Sequence, residues 1–147
     1  MTTLHLGVVD VGYTGEQGST TTGDVAQFLE DRYHIMRTFL EINEGFIARE
    51  LVNQAAGAIE SIAQGRRISP NWKPAMGKVE QRFREFLDAG VMQRAFTSRG
   101  QAVPEALDVK AAAAGVNHRK KNPNTDKPRT PFIDTGLYQA SFRAWVT

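Results

Sequence analysis

From Val25 to Ile62 apolar side chains return at the three- and four-residue spacing of an α-helix, through Phe28, Leu29, Ile35, Met36, Phe39, Leu40, Ile42, Phe46, Ile47, Leu51, Ala55, Ile59 and Ile62. A pattern of that period does not fit a half-buried strand, where alternate side chains go to opposite faces. It commits the middle of the chain to helix and leaves the two ends to supply any sheet. Thr22 or Gly23 opens the run, with threonine at the cap and Asp24 in the first turn, where a negative charge suits the helix dipole. Gly45 and Gly57 each cost about 1 kcal/mol relative to alanine inside a helix. A kink or break is therefore expected near Asn43 to Gly45.

A linker, Arg66 to Asn71, separates this spine from a second amphipathic helix, Trp72 to Ala89, which carries Trp72, Met76, Val79, Phe83, Phe86 and Leu87 on one face. Pro74 suits its first turn and Gly90 the position just past its end. A third helix is expected between Pro104 and Gly115. Leu4 to Val11, rich in β-branched residues, reads as an N-terminal strand. At the other end Tyr138, Ala140, Phe142, Ala144 and Val146 alternate with Gln139, Ser141, Arg143 and Trp145, a period-two pattern that predicts a strand. The two terminal strands are natural partners. Two stretches, 12–22 and 116–130, read as extended loops, the first rich in Gly, Ser and Thr and the second interrupted by Pro123 and Pro128. The fold class is α+β: a helical domain of about three helices, the first one long, packed on a small sheet formed by the N- and C-terminal strands, with long loops.

At 147 residues with 41% hydrophobic and 23% charged, the chain has material for one core, so a single domain over 1–147 is expected. It contains no cysteine, which excludes disulfides, thiolate chemistry and the common structural zinc sites. No apolar run is long enough to cross a bilayer, and the N-terminus lacks the basic start and apolar core of a signal peptide, so a protein soluble where it is made, with no membrane partner, is expected. The net charge of +2 conceals a polarity. Residues 1–65 carry nine acids against Arg32, Arg37 and Arg49, whereas residues 66–147 carry fifteen Lys or Arg against seven acids. Such asymmetry suits nucleic acid at the basic end or head-to-tail contacts between copies in a ring.

The most ordered sequence in the chain runs from Arg129 to Val146. Pro131 pushes Thr130 towards an extended conformation and delivers Phe132 and Ile133 for burial. Asp134 or Thr135 is placed to cap a turn of helix through the N–H groups of Gly136 to Tyr138. Phe132, Ile133, Leu137, Phe142 and Trp145 put five large apolar side chains into fourteen residues, so the segment needs a partner surface, in the helical core or on an adjacent subunit.

Pro131, Asp134, Thr135, Gly136, Tyr138 and Ser141, in the pattern Pro-x-x-Asp-Thr-Gly-x-Leu/Tyr followed by Ser and a strand, resemble the motif of tailed-phage neck and tail-completion proteins, the head-tail connector structural family. Gln139 stands where many relatives carry a basic residue, and the motif sits late in this chain. The resemblance implies a virion protein, made in the host cytoplasm, that assembles with itself as a ring and with portal or connector and tail proteins around the DNA passage. It implies no enzyme activity, no cofactor and no metal. Phe132, Ile133, Asp134, Thr135, Gly136, Leu137, Phe142 and Trp145 are then the assembly residues.

Other chemistries find weaker support. Asp134-Thr135-Gly136 also spells the aspartic-protease tripeptide, but that reaction needs two carboxylates sharing a proton, each in its own β lobe. Eleven residues after Gly136 cannot build one. The glycine-rich loop after the first strand has Gly18 where a phosphate-binding loop needs lysine, and Glu16 repels anions. His5, His34 and His118 form no spaced pair for a metal. The alternative function is non-specific nucleic-acid binding by the basic loop 118–129. There Arg119, Lys120, Lys121, Lys127 and Arg129 suit contact with DNA or an acidic partner, without aromatics for base stacking.

Overall fold

The computed structural model describes residues 2–12, 21–98 and 137–147. In order these form strand β1 (Leu4–Val8), helices α1 (Thr22–Tyr33), α2 (Ile35–Ala63), α3 (Lys73–Asp88), α4 (Val91–Ser98) and α5 (Leu137–Ser141), and strand β2 (Phe142–Val146). The fold is α+β, mostly helical, with one two-stranded antiparallel sheet made by the two chain ends. Leu4 lies opposite Val146 and Val8 opposite Phe142.

The central helical run breaks at His34, not near Asn43 to Gly45. His34 adopts the left-handed conformation (φ 52°, ψ 45°) and donates its N–H to the Glu30 carbonyl, ending α1. The Glu30 carboxylate then accepts the N–H groups of Met36 (2.8 Å) and Arg37 (3.2 Å), so one glutamate closes the first helix and starts the second. Helix α2 passes through Gly45 and Gly57 without interruption. Asn43, buried, donates to the Phe39 carbonyl and accepts from Arg82 Nε, which fastens α2 to α3. A tertiary clamp at this point outweighs the local glycine cost.

Helix α3 lies within one residue of expectation, and Pro74 stands in its first turn. Helix α4, which follows Gly90 directly, is additional. β1 stops at Val8, three residues short, because Val9 to Val11 turn aside to bond Thr22. The Thr22 hydroxyl donates to the Val9 carbonyl (2.6 Å) and accepts the Val11 N–H (2.8 Å), and the Thr22 N–H reaches the Val11 carbonyl. The C-terminal strand begins at Phe142 and not at Tyr138. Tyr138 and Ser141 are buried three residues apart on the short helix α5, a spacing that a period-two pattern does not distinguish over so few residues. The expected helix 104–115 and loop 116–130 lie outside the described residues.

Every described element joins one apolar cluster. At its centre Phe83 and Phe142 stack with centroids 3.8 Å apart, and Phe39 meets both edge-on at 5.1 and 6.1 Å. Tyr138 packs edge-on against Phe83. Aromatic pairs in these geometries add to the hydrophobic gain of burial. Truncation of Phe142 to alanine is expected to cost about 3–5 kcal/mol. A urea titration followed by circular dichroism checks this; an unchanged midpoint would show that the helices hold without the C-terminal strand.

Candidate assembly surface

The polarity of the sheet edges follows from its hydrogen bonds. Thr3 and Thr147 exchange both backbone bonds (2.8 and 3.0 Å), and the Val9 N–H reaches the Ser141 carbonyl. Since bonded and non-bonded pairs alternate in an antiparallel ladder, odd-numbered residues of β1 bond inward and Leu4, Leu6 and Val8 turn their N–H and C=O groups to the outer edge. Among the described residues nothing pairs with that edge. The outer edge of β2 is treated differently. There Glu80 of α3 accepts the Ala144 N–H (3.2 Å) and sits within 4.0 Å of Arg143 and 3.8 Å of Arg84. A carboxylate anchored to α3 thus caps one edge of the sheet and leaves the other open.

The face of the sheet away from the core carries His5, Gly7, Arg143 and Trp145. Trp145, 45% exposed, stacks on His5 at 5.3 Å with the rings 10° apart, and His5 Nε2 meets the Thr147 hydroxyl at 2.8 Å. The indole also crosses Gly7, where a Cβ would stand 3.1 Å from Cη2. Glycine at this position makes the flat aromatic shelf. A shallow groove of about 390 Å³ runs beside it, walled by Trp72, Met76, Gly77 and Glu80 of the α3 side and by Ala144 to Val146.

Of the residues expected to drive assembly, the structure places three. Phe142 is fully buried in its own subunit, Leu137 is half-buried at the start of α5, and Trp145 is the one offered outward. The apolar content of the C-terminal segment is therefore spent in part on closing the chain's own core. Phe132, Ile133, Asp134, Thr135 and Gly136 lie outside the described residues, as do Arg119, Lys120, Lys121, Lys127 and Arg129. No family model, curated protein or solved structure matches the chain.

The N-terminus of α1, reached from β1 through a glycine-rich stretch, is closed by the chain itself. Thr21 and Asp24 form a reciprocal capping box, and the Asp10 carboxylate accepts the Gly23 N–H at 2.9 Å. A side chain at Gly23 would collide with Asp10, its Cβ only 2.8 Å from Oδ1. At this helix N-terminus the N–H groups of Thr22, Gly23 and Asp24 are thus taken, by the Val11 carbonyl, the Asp10 carboxylate and the Thr21 hydroxyl. His5 and His34 lie on separate elements, and no group of three metal-ligating side chains occurs among the described residues. Sequence reading missed the Asp10 and Glu80 contacts because both bind backbone far away in the chain.

The Thr21 hydroxyl beside it, and then the N–H it accepts from Gly23, hold the Asp10 carboxyl below the usual 3.8 of an aspartate. Because its folded pKa is depressed, Asp10 contributes stability above the unfolded value and loses it as pH falls through the folded value. Asp10→Asn should therefore lower the urea midpoint at pH 7, and the gap from wild type should close in acid. An equal gap at both pH values would assign the effect to shape and not to charge.

Proposed function

We propose that this chain is a structural subunit of a tailed-phage virion, in the neck or tail-completion region, that forms an oligomeric ring joining the head and portal to the tail and lining the DNA passage. The observation that carries this reading is the order of the C-terminal end: Pro131, Asp134, Thr135 and Gly136 lead into a short helix and a closing strand. That strand leaves the β1 edge and the Trp145 shelf facing outward. A small subunit with an open strand edge and an aromatic face is suited to pairing with a neighbour, and a head-to-tail repeat of that contact closes a ring. The reading involves no reaction, cofactor or metal. Its partners are further copies of the chain and the portal and tail proteins.

The basic stretch 118–129 gives a role to the DNA that passes through such a ring, as loose contact with phosphates and no reading of bases. Changing Arg119, Lys120 and Lys121 together to serine should weaken DNA association and flatten its dependence on salt, as measured by fluorescence anisotropy. Sequence-selective binding would contradict it.

Light scattering on the purified protein should give a mass of several subunits, and negative-stain images should show rings. Particles assembled without the protein should contain heads and tails that fail to join. Trp145→Ser is expected to keep the helical circular dichroism of wild type while weakening the ring. Hydrolysis of peptide or nucleotide by the purified protein, abolished by Asp134→Asn, would overturn the structural reading.

A further inference from the structure

Helix α2 is apolar on two faces, and the core uses only one of them. Phe39, Asn43, Ile47 and Glu50 are buried towards α3. Val52, Ile59 and Ile62 are 64%, 66% and 59% exposed, although the helical period alone had assigned both isoleucines to the same run as Ile47. Val52 stands about 140° round the helix from Ile47. These three belong to an unbroken heptad stripe of Gly45, Ala48, Val52, Ala55, Ile59 and Ile62, spaced three and four residues apart in alternation. Such a stripe with β-branched side chains is the seam of a packed helix pair. A helix apolar all round is found inside a larger protein body or a membrane, and α2 is not apolar enough to cross a bilayer.

The charges flanking the stripe identify the occupant. Glu44 borders it on one side and Arg49 on the other; both are exposed, and neither has a partner among the described residues. In a parallel helix pair the side chain at one flank meets the residue five positions on in the neighbour. Glu44 of one copy then meets Arg49 of the next. One flank of α2 thus complements the other flank of an identical helix, so two copies presenting the same stripe make the contact twice around a two-fold axis. An axis running along the helices keeps every α2 parallel to its neighbours.

We infer that α2 is a self-association helix: its exposed stripe packs in parallel register against α2 of a second copy, with the Glu44 to Arg49 contact fixing direction. The stripe spans only two and a half heptads, too short to hold free helices together. Here each helix is already held on its own core, so the seam adds to another contact between subunits. The inference rests on the self-assembly part of the reading above and adds a surface that the C-terminal motif does not supply.

The chain has no native cysteine, so single cysteines report contacts without background. In the full-length protein, Val52→Cys under mild oxidation should give a disulfide-linked dimer. Asn53→Cys, exposed but off the stripe, should not. Glu44→Lys should weaken association about fivefold, as exposed ion pairs do, and Glu44→Lys combined with Arg49→Glu should restore it. Ile59→Lys should lower the oligomer mass while leaving circular dichroism unchanged. If the wild-type protein is oligomeric but Val52→Cys fails to cross-link and Ile59→Lys leaves its mass intact, this inference is wrong and the ring reading stands. A cross-link between Val52→Cys and Ile59→Cys copies, without self-linking of either, would show antiparallel packing and overturn it. A monomeric wild-type protein would remove both.

Discussion

The stacking of Phe142 on Phe83 is the contact on which the rest depends, because it ties the last strand of the chain to the helical core. β2 cannot pair with β1 in a stable way as an isolated two-stranded ribbon. It is held by Phe142 in the aromatic cluster and by Glu80 on the Ala144 N–H, and only then does it present a ladder for Leu4 to Val8. The sheet therefore joins residues at opposite ends of the sequence, and everything between them becomes a closed loop. Closing so long a loop carries an entropic cost that local helix formation does not. Helices α1 to α3 supply the surface on which that closure becomes favourable.

Polar groups complete the arrangement where apolar packing leaves choices open. Glu50, buried, pairs with Lys78 at 2.7 Å, and Arg82 joins Asn43 while lying over the Phe46 ring. Part of the charge polarity read along the chain is thus neutralised within the subunit, between acidic α2 and basic α3. What remains for a neighbour is smaller than the sequence totals imply, and it includes Glu44 and Arg49, which have no partner among the described residues. Removing Lys78 would strand a buried carboxylate, whereas Glu44 and Arg49 stay hydrated in the subunit.

The architecture was legible in the sequence wherever period and neighbour agreed. Helix α3 was defined by one apolar face, a proline at its start and a glycine beyond its end, and the terminal strands by β-branched and alternating residues. The break at His34 was misplaced because glycine propensity is a weak local preference and the Glu30 clamp is a contact between two helices. In the structure the break shows as a change of face: buried positions run 22, 26, 29, 33 and then 35, 38, 39, 43, 47, and the two-residue step between Tyr33 and Ile35 fits no continuous helix face. The assembly surface was less legible: His5, Gly7 and Trp145 form a shelf only once the register of the two strands is fixed, and Glu80 closes the β2 edge from 64 residues away.

Periodicity also could not say what an apolar residue packs against. Ile47 and Ile59 look equivalent in sequence, yet one is buried and the other stands in solvent. The difference lies in face and in length: Ile59 stands about 120° round α2 from Ile47, and beyond Glu50 the buried positions of α2 become sparse. Exposed isoleucine costs a monomer solubility, whereas the same residue in a subunit contact contributes binding. The two regions that bear on assembly therefore respond differently to mutation. The C-terminal segment is bound into the fold through Phe142 and Tyr138, so truncating it removes core packing together with any contact it makes. The α2 stripe contributes little to the subunit's own stability, and loss of association after its substitution can be separated from unfolding.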